Sequence, residues 1–355
     1  MNLCIAFVAC NKNAARFAED PSFIYRCENL AAGLKALGHQ VWLGHVSALP
    51  WRRRFDAVVF HRPRATWRVR AVHAWLQRRS TLTLADVDDL VFAPDLAMHS
   101  PGVANGLVEL GVTQRLFESH RRMLTEFSRI TVSTLPLSAL AAERFQHAEV
   151  AVLPNAIHWS WLNMKDAAVQ RRTQAISYLP GTRSHDRDFA SVAGALERVL
   201  ARYPQARLNV TGPLDFRLNV RPGQVIHHAK LPFNRFHDNL RAASINLAPL
   251  EDTPFTRCKS AIKVMEAAYW NIPTVCSPLP DAERFVEAGA CIAETEAEFE
   301  AVLEQLLSDP DFYQSQTRNL RSRAIPLADV HRNALSWLAF VFGGQFGVHP
   351  GDASD

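Results

Sequence analysis

Short runs of apolar residues alternate along the chain with longer stretches in which apolar residues recur every three or four positions. The short runs have the length of buried β-strands, and the longer stretches have the period of amphipathic helices. Such alternation is typical of parallel sheets, in which helices join successive strands. It predicts strands at residues 3–9, 41–46, 57–61, 82–85, 130–133, 150–153, 175–179, 207–211, 225–228, 245–248, 274–276 and 291–293.

A polar, helix-breaking stretch, from Pro154 to about residue 174, divides these strands into two sets of six. We therefore expect an α/β protein with two Rossmann-like, doubly wound parallel-sheet domains that face each other across a cleft. The predicted domains are residues 1–160 and 161–330. Residues 331–355 hold a largely apolar helix, predicted to pack back across the first domain, and then a flexible tail.

Length and composition agree with this layout. With 355 residues, 48% of them hydrophobic, the chain suits two globular domains better than one compact core. Its six cysteines are scattered without a CxxC pair, which favours reduced thiols in a cytoplasm over disulfides or a structural zinc site. The sequence has no apolar run of the ~20 residues that a membrane span needs, so we expect a cytoplasmic protein, either soluble or peripheral at the inner face of the membrane.

The net charge is only +4, but arginines are concentrated together with tryptophans in the region 51–79. This basic, aromatic face suits an anionic membrane surface or a phosphorylated acceptor. An ordinary solvated helix is the alternative interpretation. Nucleic acid is not an expected partner, because the overall charge is small and no nucleic-acid-binding motif occurs.

The segment 255–277, FTRCKSAIKVMEAAYWNIPTVCS, carries the most informative chemistry. Its apolar spacing predicts a helix over residues 259–270, which the sequence NIP ends before the next strand. Glu266 adjoins the apolar stripe of this helix. A carboxylate there needs a partner, such as a ribose hydroxyl pair, a lysine or a backbone donor.

The start of the same helix has the features of a phosphate site. Thr256, Ser260 and the free N–H groups of the first turn would hold phosphate oxygens, and Lys259 and Lys263 would supply positive charge. The alternative is a capped amphipathic helix whose lysines are solvated and whose glutamate pairs with one of them.

A second cationic loop, PGTRSHDRDF, follows the predicted strand at 175–179. The turn at Gly181 and the helix start behind it would aim backbone N–H groups, Arg183 and Arg187 at a diphosphate. Alternatively, the two aspartates of the loop only pair with its arginines.

Three carboxylates, Asp86, Asp88 and Asp89, follow the predicted strand at 82–85. They repel one another unless a cation, a hydroxyl-rich ligand or arginines compensate. A metal site of DxD type is one interpretation, and capping of a helix start is another. We favour a third, in which an aspartate holds or deprotonates an acceptor hydroxyl.

The loop after the first strand lacks the GxGxxG and Walker fingerprints of dinucleotide and ATP sites. Asn11 and Lys12 in this loop are predicted to face the cleft and bind the acceptor. Tyr25 and Arg26 open the next helix, where each either reaches a ligand or forms part of an exposed surface pair. Hydrolase hypotheses have little support, since no GxSxG or HExxH pattern and no Ser/His/Asp order stands out.

Taken together, these features resemble a GT-B glycosyltransferase, similar to the retaining family 4 group. The resemblance spans nearly the whole chain and rests on YRCENLAAGLKALGHQV, DVDDLVF, VSTLPL, VLPNAIH, GTRSHDRDF and APLEDTPFTRCKSAIKVMEAAYWNIPTVCS. The last segment is similar to the region that carries the family's E-x7-E motif.

The resemblance implies roles for particular residues. Glu266 matches the second glutamate of the motif, which contacts the donor ribose, whereas Cys258 stands where the first glutamate is expected. Lys259, Ser260 and Lys263 resemble a KSxxKxxE variant of bacterial surface-polysaccharide transferases.

The family's R-x4-K pair corresponds to Thr182 and Arg187, and Arg183 is a candidate substitute for the missing cation. The family's histidine after the fourth strand of the first domain is replaced by the aspartates at 86–89. His185 is a candidate for contact with the transferred sugar.

We therefore expect a glycosyltransferase that moves a sugar, with retention, from a nucleotide-sugar donor to a hydroxyl of a glycan or lipid-linked acceptor in envelope polysaccharide synthesis. The second domain would bind the donor, and Asp88 or Asp89 with Asp86, Arg26, Asn11 and Lys12 would serve the acceptor. No metal or other cofactor is expected. A nucleotide-sugar 2-epimerase of the same layout and a non-catalytic sugar-binding scaffold are the alternative hypotheses.

Overall fold

A computed structural model describes residues 2–10, 14–162, 164 and 174–343. Two parallel six-stranded sheets form its framework. The first contains β1 (Cys4–Ala9), β2 (Gln40–His45), β3 (Ala57–His61), β4 (Leu82–Val87), β5 (Arg129–Val132) and β6 (Glu149–Val152). The second contains β7 (Ala175–Tyr178), β8 (Arg207–Thr211), β9 (Val225–His228), β10 (Ile245–Ala248), β11 (Thr274–Cys276) and β12 (Ala290–Ile292).

Each predicted strand is confirmed, with small differences at the ends. The strand order is β2-β1-β3-β4-β5-β6 in the first sheet and β12-β11-β10-β7-β8-β9 in the second, so both sheets are doubly wound. The central strands are buried along their length, because helices cover both faces of each sheet. This burial explains why they are continuous apolar runs in the sequence.

Helices surround the two sheets. In the first domain they are Pro21–Phe23, Asn29–Ala36, Trp67–Gln77, Pro101–Ala104, Leu110–Leu124, Leu135–Arg144 and Trp159–Leu162. Those that follow are Asp186–Ala190, Ala193–Arg202, Phe236–Arg241, Ile262–Tyr269, Glu296–Ser308, Pro310–Thr317, Leu320–Ala324 and Val330–Phe342. Within the described residues, none of the helices combines the length and apolar character that crossing a membrane requires.

The first helix of the chain contains a π turn, Ile24–Glu28, between its two α-helical parts. The wider turn buries four consecutive side chains, from Ile24 to Cys27. Tyr25 and Arg26 are therefore not an exposed surface pair. A π turn often marks a functional site, and here it directs Tyr25 toward the second domain.

The C-terminal helix Val330–Phe342 crosses back to the first domain, as predicted. It approaches the helix Asn29–Ala36 so closely that a Cβ atom on Gly33 would lie 2.8 Å from the Val330 carbonyl oxygen. Trp337 packs near Phe7 of β1, with 6.0 Å between ring centroids. The second half of the chain thus contributes to the core of the first domain.

The two domains meet at the carboxyl ends of their strands. Asn105 of the first domain donates from its side-chain amide to the Ser184 carbonyl (2.8 Å), and the Thr134 hydroxyl donates to the Cys258 carbonyl (2.9 Å). The rings of Phe117 and Phe255 stack across the same boundary. These contacts close one side of the cleft and leave a cavity on the other.

Candidate functional site

A cavity of about 1020 Å³ lies between the domains. Ligands of open α/β sheets bind beyond the carboxyl ends of the strands, and the cavity is in that position. Its polar lining includes Ser22, Asp88 and Asp89 from the first domain and Gly181, His185, Lys230, Lys259, Ser260, Lys263 and Glu266 from the second.

The helix that carries Glu266 begins at Ile262 rather than at the predicted residue 259. The Cys258 carbonyl accepts a hydrogen bond from Thr134 of the first domain, and Lys259 has an extended backbone. Lys259 and Ser260 therefore lie in the loop before the helix, and both line the cavity. The Ser260 hydroxyl is buried and has no hydrogen-bond partner among the described residues.

Two lysines bring positive charge to this end of the cavity. Burial lowers the pKa of Lys263 to about 8, and its ammonium group lies 5.6 Å from the centroid of the Tyr178 ring. The Lys259 ammonium lies 3.8 Å from a carboxylate oxygen of Asp89, which belongs to the other domain. An anion that entered here would meet both charges.

Glu266 is buried, with only 5% of its surface exposed. Burial raises the pKa of its carboxyl group to about 7, although Tyr25 and Lys263 act in the opposite direction. The Tyr25 hydroxyl donates to Oε1 of Glu266 over 2.5 Å. The expectation that this carboxylate needs a partner is thus met by a tyrosine from the first domain, which the sequence did not indicate as its partner.

The loop after β7 places Gly181 and His185 at the cavity. Gly181 has a left-handed backbone (φ 77°), and its carbonyl accepts a hydrogen bond from Lys230. The His185 Nδ1 lies 2.7 Å from a carboxylate oxygen of Asp188, and burial, followed by the nearby Lys263, lowers the pKa of this histidine to about 4. The ring is therefore neutral near pH 7, with Nδ1–H donated and Nε2 left as an acceptor.

The two arginines of this loop are directed away from the cavity. Arg183 pairs with Asp215 (2.5 Å) and Arg187 with Glu251 (2.9 Å), and both side chains are more than half exposed. Pairing with acids thus describes these arginines better than diphosphate binding. Both partners are distant in sequence. Arg183 also lies 3.8 Å from Asp186, so the alternative interpretation, in which the loop aspartates pair with its arginines, holds for this one contact.

Thr182 and Thr256 also lie outside the cavity lining. The Thr182 hydroxyl lies 2.7 Å from that of Ser184. Thr256 is buried in the turn before the Glu266 helix, where its hydroxyl donates to the Glu251 carbonyl and accepts from the Thr253 amide. The expected phosphate contact of Thr256 is not supported, because this hydroxyl braces its own loop.

Asp88 and Asp89 both line the cavity, but they differ in their hydrogen-bond partners. Asp88 accepts hydrogen bonds of 2.6 Å from the Arg62 Nε and from the Ser22 hydroxyl. Burial alone would favour its protonated form, yet Arg62, with His61 and Ser22, holds the pKa of Asp88 well below its usual range. Oδ1 of Asp89 is buried and has no hydrogen-bond partner among the described residues, so it remains an available acceptor.

Asp86 and Arg26 do not contact the cavity. Arg26 donates to both carboxylate oxygens of Asp86, at 3.1 and 2.7 Å, inside the first domain. Although burial opposes the charge of this aspartate, Arg26 and His61 lower its pKa to about 2. The prediction that this pair binds the acceptor is therefore wrong: the ion pair joins β4 to the first helix in the interior.

Two further expectations concern the acceptor residues of the first loop and a metal site. Asn11 and Lys12 lie outside the described residues. Within the described residues, no group of three or more histidine, cysteine, aspartate or glutamate side chains has the arrangement of a metal site.

Sequence reasoning missed several residues of the site. Ser22, Arg62 and Lys230 were not assigned a role, and Tyr25 was considered only as a residue that reaches a ligand or lies on the surface. All four contribute to the cavity or to its aspartates. Arg62 directly follows β3, so the rule that ligands bind beyond strand ends could have identified it. Its left-handed backbone (φ 46°) is unusual for a residue with a side chain and is common at functional positions.

Comparison with known proteins finds a family match for part of the chain and similar folds for nearly all of it. Residues 187–339 match the model of a family described as glycosyl transferase-like. No curated protein sequence is significantly similar to the chain.

Solved structures resemble the chain over nearly its whole length. Sucrose-phosphate synthase from Thermosynechococcus elongatus is 13% identical, with 95% of this chain and 97% of that chain covered and a TM-score of 0.60. HepE from Anabaena, solved in complex with UDP and glucose, is 12% identical, with 95% and 98% covered and a TM-score of 0.58. A trehalose-phosphate synthase from Burkholderia xenovorans is 13% identical, with 90% and 78% covered and a TM-score of 0.55.

The protein therefore has the GT-B fold, as the sequence resemblance predicted. The match to the glycosyl transferase-like family covers most of the second domain and part of the C-terminal helix. The similar structures include sucrose- and trehalose-phosphate synthases as well as HepE. They do not single out the retaining family 4 group, which remains a prediction.

The raised pKa of Glu266 predicts a pH-dependent stability. Between its ordinary value of 4.5 and about 7, the folded protein binds this proton more tightly than the unfolded chain does. The free energy of unfolding should therefore fall as the pH rises through that window, by about 1–3 kcal/mol. The Glu266→Gln variant should lose this component, whereas Glu287→Gln, at an exposed position, should behave like the wild type. Urea titrations across the window test this, and equal pH dependence in all three proteins would contradict it.

Proposed function

We propose that the protein is a glycosyltransferase that moves a sugar from a nucleotide-sugar donor to a hydroxyl group of a glycan or lipid-linked acceptor. One observation carries the proposal: a single interdomain cavity joins Lys259, Lys263 and Glu266 of the second domain to Asp88 and Asp89 of the first. Cations suited to a diphosphate thus face carboxylates suited to a hydroxyl acceptor. The GT-B fold and the family match of the second domain support the same activity.

In this proposal the diphosphate lies against Lys259, Lys263, the Ser260 hydroxyl, which has no partner in the described part of the chain, and the N-terminal amides of the helix Ile262–Tyr269. Arg183 and Arg187 are left out of the donor site, because both form ion pairs outside it. Positive charge in a cavity with little water stabilises the diphosphate as it leaves. The two lysines supply that charge, so the proposal requires no metal ion.

Glu266 would bind the ribose. Its Oε1 holds the Tyr25 hydroxyl, and no hydrogen-bond partner of Oε2 occurs among the described residues. A ribose hydroxyl can therefore donate to Oε2, or replace Tyr25 at Oε1. Either contact places the nucleotide beside the lysines of the same helix.

The acceptor would enter from the first domain. Asp88 and Asp89 both line the cavity and can hold hydroxyl groups of the acceptor, and Oδ1 of Asp89 has no hydrogen-bond partner among the described residues. Nε2 of His185 can accept one from a hydroxyl of the transferred sugar. We propose transfer with retention, as in the family that the sequence resembles, so that the acceptor attacks the sugar from the face that the departing phosphate leaves.

A membrane-bound acceptor fits the outer face of the first domain, and so does a role in envelope polysaccharide synthesis at the cytoplasmic face of the membrane. The helix Trp67–Gln77 buries Val69, Val72 and Leu76, as its apolar stripe predicts. Trp67, at its start, is 76% exposed, and the Arg68 guanidinium lies over its ring. An exposed amphipathic ring beside arginines suits the headgroup region of an anionic membrane.

The membrane contact can be tested by sedimentation with lipid vesicles. We expect binding to vesicles that contain phosphatidylglycerol and little binding to pure phosphatidylcholine. The double variant Trp67→Ala/Arg68→Ala should lose most of the binding, and Trp159→Ala, at an exposed tryptophan outside this helix, should retain it. Equal binding by both variants would exclude the Trp67 face as the membrane contact.

The donor site can be tested by the thermal stability of the protein with UDP, GDP, ADP, dTDP and CMP. A nucleotide at 100 times its dissociation constant stabilises the folded state by about 2.7 kcal/mol, which raises the melting temperature. We expect a rise for at least one of the five. Lys263→Met, which keeps the bulk of the side chain without the charge, should weaken that nucleotide about 10- to 100-fold, the value of a charge-assisted hydrogen bond.

Arg183→Ala is the matched control, because it removes a cation that lies near the cavity but outside its lining. It should bind the nucleotide as the wild type does. The donor assignment would be wrong if no nucleotide raised the melting temperature, or if Arg183→Ala weakened binding while Lys263→Met did not.

A further inference from the structure

A chain of short polar contacts runs from the cavity into the interior of the first domain. The Ser22 hydroxyl, at the cavity wall, lies 2.6 Å from Oδ2 of Asp88 and 2.9 Å from Nε2 of His61. Nδ1 of His61 lies 3.1 Å from Oδ1 of Asp86. His61 and Asp86 lie opposite each other on the paired strands β3 and β4, so the strand pairing fixes the contact between their side chains.

The number of protons available to this series of hydrogen bonds depends on the charge of His61. Carboxylates only accept, so Asp86 requires the proton of His61 on Nδ1. With a neutral imidazole, the Ser22 hydroxyl then has one proton for two acceptors, Asp88 and Nε2. Addition of one proton satisfies all three contacts, because Nε2–H donates to Ser22 and the serine donates to Asp88. This series of hydrogen bonds can therefore take up one proton without the movement of a heavy atom.

We propose that Asp88, Ser22 and His61 form a proton relay that receives the proton of the acceptor hydroxyl, an inference that rests on the proposed glycosyl transfer. The acceptor oxygen forms a bond to the anomeric carbon, and the bond from that carbon to the diphosphate breaks, with its electron pair on the diphosphate. The hydroxyl proton passes to Asp88, the Asp88 proton passes to Ser22, and the Ser22 proton passes to Nε2 of His61. Substrates and products then balance, and His61 leaves the step as an imidazolium between Ser22 and Asp86.

The relay explains how Asp88 can serve an acceptor hydroxyl at all. Arg62 keeps this carboxylate ionised, which makes it a weak base by itself. In the relay it never retains the proton, because Ser22 and His61 carry the proton away. Ser22 and His61 thus act through Asp88, and Asp88 is the group that would touch the acceptor.

Several other charged or titratable groups lie near His61. Arg26, on the first helix, faces it through Asp86, and Arg62 is its neighbour in sequence and pairs with Asp88. His120, on the helix Leu110–Leu124, is buried, and burial lowers its pKa to about 3, so it stays neutral. The two aspartates around His61 therefore each pair with an arginine.

The same three residue types form the nucleophilic triad of serine hydrolases, but the geometry here opposes that role. A serine nucleophile must carry negative charge as it attacks, and the Asp88 carboxylate lies only 2.6 Å from the Ser22 oxygen. Repulsion between the two would disfavour the alkoxide. Passing a proton through the hydroxyl requires no such charge.

The test uses the nucleotide sugar whose nucleotide raises the melting temperature most, with water as the acceptor, and measures release of nucleoside diphosphate. Ser22→Ala should lower kcat about 10²-fold, the scale of general base catalysis, while the affinity for the nucleotide stays unchanged. Ser22→Thr keeps a hydroxyl and should restore most of the rate.

Ser47→Ala is the matched control, since the Ser47 hydroxyl also contacts a histidine (His45, 2.7 Å) but on the exposed surface. It should turn over as the wild type does. If Ser22→Ala bound nucleotide and turned over normally, or if Ser22→Thr turned over no faster than Ser22→Ala, the relay would be overturned and the proposed function would stand. If no nucleotide bound to the wild type, the proposed function and the relay would both fail.

Discussion

The hydrogen bond from Tyr25 to Glu266 is the contact on which the arrangement of the cavity depends. A carboxylate buried as deeply as Glu266 is unfavourable without a donor, and the donor comes from the opposite domain. Tyr25 reaches it because the π turn of the first helix directs this ring toward the second domain. The bond therefore couples the position of the first domain to the helix that carries Lys263 and Glu266.

Other contacts hold the same boundary in register. The Thr134 hydroxyl donates to the Cys258 carbonyl shortly before the Glu266 helix begins. Lys259 and Ser260, which were predicted to open this helix, lie in the loop before it and line the cavity. The C-terminal helix packs on Gly33 of the first domain and so ties the end of the chain to the Tyr25 helix. The donor side of the cavity is thus shaped by residues of both domains, although its charges belong to the second.

The sequence predicted what depends on local periodicity. Buried parallel strands are continuous apolar runs, so all the strands, the two domains and the crossing of the last helix followed from the pattern. Lys263 and Glu266 were also found, because the stripe of a helix fixes which of its side chains share one face. Lys259 and Ser260 line the cavity as well, but from the loop before the helix rather than from the predicted helix start. Asp88 and Asp89 followed from the rule that ligands bind beyond strand ends.

What the sequence could not give depends on partners distant in the chain. Arg183 and Arg187 lie in a loop suited to a diphosphate, but Asp215 and Glu251 draw them outward. Arg26 and Asp86 are charged residues that were predicted to bind the acceptor, yet a π turn and the register of β4 place them in the interior.

The contacts of Ser22 with His61 and Asp88 likewise unite three separate segments of the chain. No spacing within one segment indicates that they meet. The hydrogen bonds between segments, rather than the segments themselves, decide which polar residues reach the cavity.

The most direct test of the account is calorimetric titration with the best-binding nucleoside diphosphate and its 2′,3′-dideoxy analogue. The wild type should lose about 10- to 100-fold in affinity for the analogue, the value of hydrogen bonds from ribose to a carboxylate. The double variant Tyr25→Phe/Glu266→Met, which removes both partners and leaves neither unpaired, should bind the two ligands equally. An unchanged preference for the ribose hydroxyls in the double variant would contradict the assignment of Glu266 as the ribose site.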